Sequence, residues 1–312
     1  MLGVLTKTTC PIGVALSYDS LKMAQLATYG EEIRIIGYKS ITGVAHDPPD
    51  GPPWQRWAIN ALRYARAHGQ FRGRDTVVAL PPSGLFIDHV EYPRGGQSKL
   101  EDAIFAKIKR RIPTGWTRDS VIIKCIPTEQ DNALVMAVQR ATIDRQLAVY
   151  ERARLRVKSI AVWPMAMAKC YARLFGQHVR DRDAVVMLVD IQSNCTNLVI
   201  CRDESPLFAS SIPIGVRQLW GPGDTGRLVR ELDLSAKQHV SLYRDAGIER
   251  LIFLSASRVT PEIGQALGAE LGVPVQLANC EVTLGMENAA ATDSNGDPMQ
   301  ASWALACGLS LC

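Results

Sequence analysis

"VVMLVDIQSNCTNLVICRDESPLF" (185–208) decides how the chain is read. Its first seven residues are apolar except for Asp190, the pattern of a strand buried on both faces. Gln192, Ser193 and Asn194 then break the run, and Thr196 opens a second apolar stretch. The segment reads as strand, tight turn, strand. A buried strand that delivers a carboxylate to a turn of Ser193, Asn194 and Thr196 has two readings. Such a turn can hold phosphate oxygens on backbone N–H groups and hydroxyls. Equally, Asp190 can do no more than cap the turn that follows it.

Working outward, a second polar-turned hairpin lies near the start. "PIGVALSYDSLKMAQLATYGEEIRIIGYKSI" (11–41) alternates as strand, turn, strand, turn, strand. A Pro/Gly-rich loop (43–54) follows, then a helix on which Trp54, Trp57, Ala58, Ala61, Leu62 and Ala65 share one face as core. Strands are expected at 75–80 and 85–93, and a helix at 100–111. Two more strands, near 120–126 and 132–139, precede a helix at 142–154, a strand at 158–163 and a helix at 164–176. After a polar linker (177–183) and the hairpin comes a strand at 206–212, and "IPIGVRQL" (212–219) opens a helix. Further expectations are a helix at 227–246, a strand at 248–257, a helix at 260–272 capped by Thr260, and a strand at 273–279. A small-residue helix at 299–311, with Ala304, Ala306 and Gly308, is expected to pack on the first lobe.

Composition narrows the function classes. At 312 residues the chain is long enough for two lobes with sizeable cores, and 21% charged residues against 47% hydrophobic is ordinary for a globular protein. Net charge is +4 with both signs mixed along the chain, which argues against a nucleic-acid binder. "IKRRIP" (108–113), the densest basic run, reads as the exposed end of a helix. The eight cysteines have no CxxC spacing and the five histidines no HExxH, so buried free thiols and no metal site are expected. No apolar run reaches the roughly 18–20 residues that cross a bilayer, which reads as a cytoplasmic protein.

Strand–turn–strand–strand, helix, strand, helix, occurring twice, is the lobe plan of the actin, sugar kinase and DnaK-type superfamily. Within it the chain resembles the PilM family of type IV pilus assembly proteins, relatives of FtsA. Six segments match in order along most of the chain: "IGVALSYDSLKMAQL", "VVALPPSGLFIDHVEYP", "LEDAIFAKIKRRIP", "ALVMAVQRATIDRQLAVYERARLRVKSIAVWPMAMAKCY", "LVDIQSNCTNLVICRDESPLFASSIPIG" and "ERLIFLSASRVTPEIGQALGAELGVPVQLAN". The resemblance implies an α/β, two-lobed actin-like (ribonuclease H-like) fold. The first lobe would span 1–182 with an inserted subdomain at about 82–155, and a reduced second lobe 183–312.

The resemblance also implies a nucleotide cleft, lined here by Ser17, Ser20, Lys22, Asp190, Ser193, Asn194, Thr196, Ser255 and Ala256. Several positions depart from the family pattern. Ala15 stands where an aspartate organises magnesium, leaving Asp19, in the turn, as its one nearby substitute. Gln192 replaces a glycine, and Ser255, Ala256 and Ser257 replace a glycine-rich turn. Forcing a non-glycine residue into left-handed geometry costs about 1–2 kcal/mol. Only about thirty residues separate Gly215 from Glu249, so the subdomain covering the adenine side is reduced. Lys22 reads either as a phosphate ligand or, more simply, as an exposed strand lysine.

Together these features imply a non-enzymatic, cytoplasmic scaffold for pilus or secretion assembly. It would be peripheral to the inner membrane through a PilN-like bitopic partner, whose N-terminal cytoplasmic peptide it captures. No cofactor, or only weakly held ATP and magnesium, is expected. Two alternatives remain: an ATP-binding ATPase or small-molecule kinase, and a GspL-like type II secretion component.

Overall fold

The computed structural model describes residues 7–43, 51–92, 97–176, 183–219, 223–244, 247–254, 260–286, 291–292, 298–299 and 302–312. The first part of the chain forms β1 (Lys7–Leu16), β2 (Ser20–Tyr29), β3 (Glu32–Thr42), α1 (Pro52–His68), β4 (Asp75–Ala79) and β5 (Phe86–Glu91). Next come α2 (Gln97–Ile108), β6 (Val121–Pro127), β7 (Asn132–Gln139), α3 (Arg140–Arg152), β8 (Arg156–Ala161) and α4 (Trp163–Leu174). The second part has β9 (Val185–Ile191), β10 (Thr196–Arg202), β11 (Ser205–Ile212), α5 (Asp224–Leu242), β12 (Arg250–Phe253), α6 (Thr260–Leu271), β13 (Val275–Leu277) and α7 (Cys280–Thr283). It ends in two short strands, β14 (Ala291–Thr292) and β15 (Pro298–Met299), and α8 (Ala304–Leu311).

Two five-stranded sheets repeat one plan, β3-β2-β1-β4-β8 and β11-β10-β9-β12-β13. In each, the first three strands are antiparallel and the last two join in parallel. The parallel pairs need crossovers, which helices supply. Between β4 and β8 the chain leaves to build a separate sheet, β5-β7-β6, covered by α2 and holding its own apolar cluster around Ile104, Ile108, Val121 and Val135.

The largest apolar cluster runs between the lobes, and α8 lies in it. Close contact explains the glycines of "GVAL" and "ACGL". A Cβ at Gly13 would sit 2.0 Å from the Ala306 carbonyl oxygen, and one at Gly308 1.9 Å from that of Ala166. Ser310 settles the polar groups beneath. The β1–β2 register shifts between Thr9 and Ile12, where Pro11 has no N–H to give. Ser310 Oγ accepts from the Leu26 N–H (3.0 Å) and donates to the Pro11 carbonyl (2.8 Å).

Two expectations are corrected. "IPIGVRQL" does not open an α-helix; it makes one 3-10 turn at Val216–Gln218, because the Val216 and Arg217 N–H groups donate to the Gln192 and Ser193 carbonyls instead. The last helix begins at Ala304 rather than near 299, since Pro298–Met299 pairs with Ala291–Thr292.

Candidate functional site: the cleft between the two hairpins

The first hairpin turn is closed on itself. Ser17 N–H donates to the Ser20 carbonyl (2.8 Å), Ser20 N–H to Ser17 Oγ (3.1 Å), and the two hydroxyls lie 2.8 Å apart. Ser17 Oγ also lies 3.1 Å from Asp19 Oδ1. Asp19 is buried, and its other oxygen meets Arg217 Nη2 at 3.2 Å. Arg217 belongs to the turn after β11, so this ion pair joins the two lobes across the cleft.

The second hairpin is equally occupied. Asp190 is fully buried and pairs in register with Asn197. Its Oδ2 accepts from Gln192 Nε2 (3.0 Å), whereas its Oδ1 has no hydrogen-bond partner among the described residues. Gln192 therefore does more than replace a flexible residue: its amide covers one side of the carboxylate. Thr196 is buried, and its hydroxyl donates to the Ile214 carbonyl (2.7 Å). Ser193 is half-buried and Asn194 exposed. Gly215 is pressed against this turn, where a Cβ would lie 2.5 Å from the Cys195 nitrogen and 2.6 Å from that of Asn194. Burial, with Asp190 nearby, pushes the Cys195 thiol up to about 12.

Lys22 corrects the expectation of an exposed strand lysine. It is half-buried and stands directly across the strand pair from Ala15. Burial lowers its pKa, while Asp190, Asp19 and Glu281 pull in the opposite direction. Carboxylates of both lobes are thus near enough to act on its charge, in a region where Ala15 supplies only a methyl group.

The structure accordingly brings Ser17 and Ser20 to the first turn with Lys22 on β2 beside it, and Ser193 and Asn194 to the second turn with Asp190 and Thr196 on the strands that flank it. Ser255 and Ala256, with Ser257, lie outside the described residues. Sequence reading missed Arg217, Glu281 and the two-sided role of Gln192. Arg217 carried a weak signal, as an arginine directly after the tight "IPIG" turn. Nothing local marks Glu281, which holds Trp303 Nε1 at 2.9 Å.

Chemically, the cleft holds three carboxylates and two cations of the chain's own, Lys22 and Arg217. Among the described residues no three His, Cys, Asp or Glu side chains are grouped to hold a metal ion. A magnesium–triphosphate needs free hydroxyls, open N–H groups and bare carboxylates. Here the Ser17, Ser20 and Thr196 hydroxyls are engaged within the protein, and Asp19 is paired with Arg217. Of the expected carboxylates among the described residues, Asp190 offers such a ligand one oxygen, Oδ1, that has no partner there. These residues fit a magnesium nucleotide poorly.

Two lobes of one sheet order, each opening with a hairpin whose turn borders a shared cleft, define the actin-like class of folds. No protein-family model matches the chain, and no curated protein matches it. Solved structures do match. A chain of the PilM–PilN type IV pilus biogenesis complex superposes with a TM-score of 0.73 at 17% identity, covering 96% of this chain and 97% of that one. A protein of actin-like ATPase fold and unknown function from Bacteroides thetaiotaomicron gives 0.54 at 9% identity, covering 96% and 95%. The ethanolamine utilization protein EutJ from Carboxydothermus hydrogenoformans gives 0.50 at 13%, covering 100% and 92%. The fold is actin-like, and its likeness to the pilus-complex chain extends over nearly the whole of both.

Proposed function

We propose that this chain is a cytoplasmic scaffold of type IV pilus or related secretion assembly. It binds the cytoplasmic N-terminal segment of a PilN-like single-span inner-membrane protein, and holds nucleotide weakly or not at all. The observation that carries the reading is the near full-length likeness to a chain of the PilM–PilN complex. A further support is the cleft, whose hydroxyls and Asp19 are taken up within the protein. The separate sheet β5-β7-β6 within the first lobe has two outer strands, β5 and β6. An outer strand is suited to capturing an extended peptide through main-chain hydrogen bonds. In this reading the first lobe spans 1–182, its insert about 82–155, and the second lobe 183–312. No described helix is long and apolar enough to cross a membrane; in this reading the captured peptide supplies one attachment there.

The test is calorimetric titration, with and without ATP and magnesium, of the cytoplasmic N-terminal peptide of a single-span membrane protein encoded beside this chain. The expected result is peptide binding that is indifferent to nucleotide, with ATP itself silent up to millimolar concentration. One observation favours the second reading, an ATP-binding ATPase or kinase: the buried Asp190 Oδ1, which has no hydrogen-bond partner among the described residues. Micromolar ATP binding that disappears in Asp190→Ala would establish that reading in place of the first.

A further inference from the structure

The sequence mixes its charges; the fold does not. Residues 52–75 and 140–158 hold eleven basic and three acidic residues, a balance of +8, while the rest of the chain carries 24 basic against 28 acidic, or −4. The fold brings these two segments together. β4 and β8 run parallel, with Asp75 opposite Arg156, and the Arg156 N–H donates to the Arg74 carbonyl at 2.9 Å. Arg63, near the end of α1, donates through Nη2 to the Arg152 carbonyl at the end of α3 (2.7 Å). Arg154 and Arg156 follow at once on the way into β8.

One end of the first lobe therefore presents Arg63, Arg66, Arg74, Arg152, Arg154 and Arg156. Three of them, Arg63, Arg66 and Arg74, line a pocket of about 400 Å³ together with Ala67, Phe71 and Gly73. Arg156 is paired with Asp75. Among the described residues Arg66, Arg74 and Arg154 have no ion-pair partner. This surface is distinct from the cleft: β1 runs parallel to β4 and reaches its polar turn at the far end of the sheet.

We infer that this arginine-rich end docks against the anionic phosphate headgroups of a phospholipid bilayer. Guanidinium groups bind phosphate bidentately and give up their hydration more readily than ammonium does. A bilayer offers phosphates across a plane, so arginines from α1, α3, β8 and the segments leading into β4 and β8 each find a partner without a fixed spacing. A single-stranded nucleic acid needs a stacking platform as well, and the aromatic rings at this end are already in contact within the protein. Tyr64 stacks on His68 (4.0 Å), and Phe71 packs against Gly37 and Gly69. The inference deepens the scaffold reading, on which it rests for a setting beneath a membrane. The partner peptide would then tether the protein while this end orients it.

The experiment is co-sedimentation of the full chain, without any partner, with vesicles of 70:30 phosphatidylcholine and phosphatidylglycerol, and with vesicles of phosphatidylcholine alone. Binding is expected only to the anionic vesicles and is lost in high salt. Each basic residue near such a surface counts for about five-fold in binding, so Arg66→Gln, Arg74→Gln and Arg154→Gln together should weaken it about a hundred-fold. A thermal melt unchanged from the parent's confirms that this variant is folded. The inference is overturned by absence of binding to anionic vesicles at low salt, or by binding that the triple variant retains. Tighter association with a DNA 30-mer than with the vesicles overturns it as well. So does release by millimolar inorganic phosphate with no effect from an equal ionic strength of chloride, which would assign the pocket to a small free anion. Peptide titration of the same variant separates the two readings. Peptide capture kept while vesicle binding is lost supports both; absence of capture by either protein, with vesicle binding intact, removes the scaffold reading alone.

Discussion

His89 joins the inserted sheet to the second lobe, and acid should undo that joint. It lies on β5, stacked on Phe208 of β11 with ring centroids 4.1 Å apart and planes within 1°. Its Nε2 accepts a hydrogen bond from the Ala209 N–H at 3.2 Å. A ring nitrogen that accepts carries no proton, so the folded imidazole is neutral. Burial lowers its pKa to about 4, helped by the nearby His239 and Arg111. Unfolded, the ring titrates near 6.5. Between those values the unfolded chain takes up a proton that the folded chain refuses, so stability falls as pH drops from about 6.5 towards 4 and levels off below. The whole window amounts to about 3 kcal/mol, of which about 2 kcal/mol is lost by pH 5. His89→Gln keeps an acceptor for the Ala209 N–H and removes the titration. Urea denaturation of both proteins at pH 7 and pH 5 should show the parent losing about 2 kcal/mol more than the variant. Parallel losses in the two proteins would refute the assignment. Ring-proton NMR provides a direct check: an imidazole that titrates near 6.5 in the folded protein would refute it equally.

Three further outcomes are expected. Gly308→Ala places a methyl group 1.9 Å from the Ala166 carbonyl oxygen, and should cost about 3 kcal/mol or displace α8, as read by urea denaturation. Arg217→Gln leaves the buried Asp19 carboxylate without its cation and should destabilise by about 1–2 kcal/mol at pH 7. Thermal melts of parent and variant at pH 7 would show the loss, and an unchanged melt would refute it. Under native conditions a thiol reagent should modify the exposed Cys312 first, while the buried Cys170, Cys201, Cys280 and Cys307 react only on unfolding; mass spectrometry of labelled peptides resolves the order.

Much of the architecture was legible in the residues, because it rests on local physics. The uninterrupted apolar run before Asp190, the polar turn after it, and the same plan around Ser17–Ser20 mark two hairpins by period and turn chemistry alone. The order of strands and helices around them was enough to indicate an actin-like lobe repeated twice. Local pattern misled at "IPIGVRQL", where helical spacing was overridden by hydrogen bonds to a turn some twenty residues earlier.

The candidate site was legible only in its residue types. That Asp190, Lys22 and the turn hydroxyls share one cleft follows from the lobe plan. Which of them are occupied does not, since their partners are remote in sequence. Arg217 meets Asp19 from the other lobe, Ile214 takes the Thr196 hydroxyl, and the half-buried Lys22 comes under the influence of carboxylates from both lobes. The basic end shows the same division. In the linear chain its arginines are diluted by acidic stretches, and net charge suggests no charged surface. Parallel pairing of β4 with β8, and the contact between the ends of α1 and α3, gather them. The sequence alone determined the elements and their faces, which depend on neighbours three or four positions away. Tertiary structure decided which charges meet and which stand unpaired, because those energies depend on distances between residues that lie far apart along the chain.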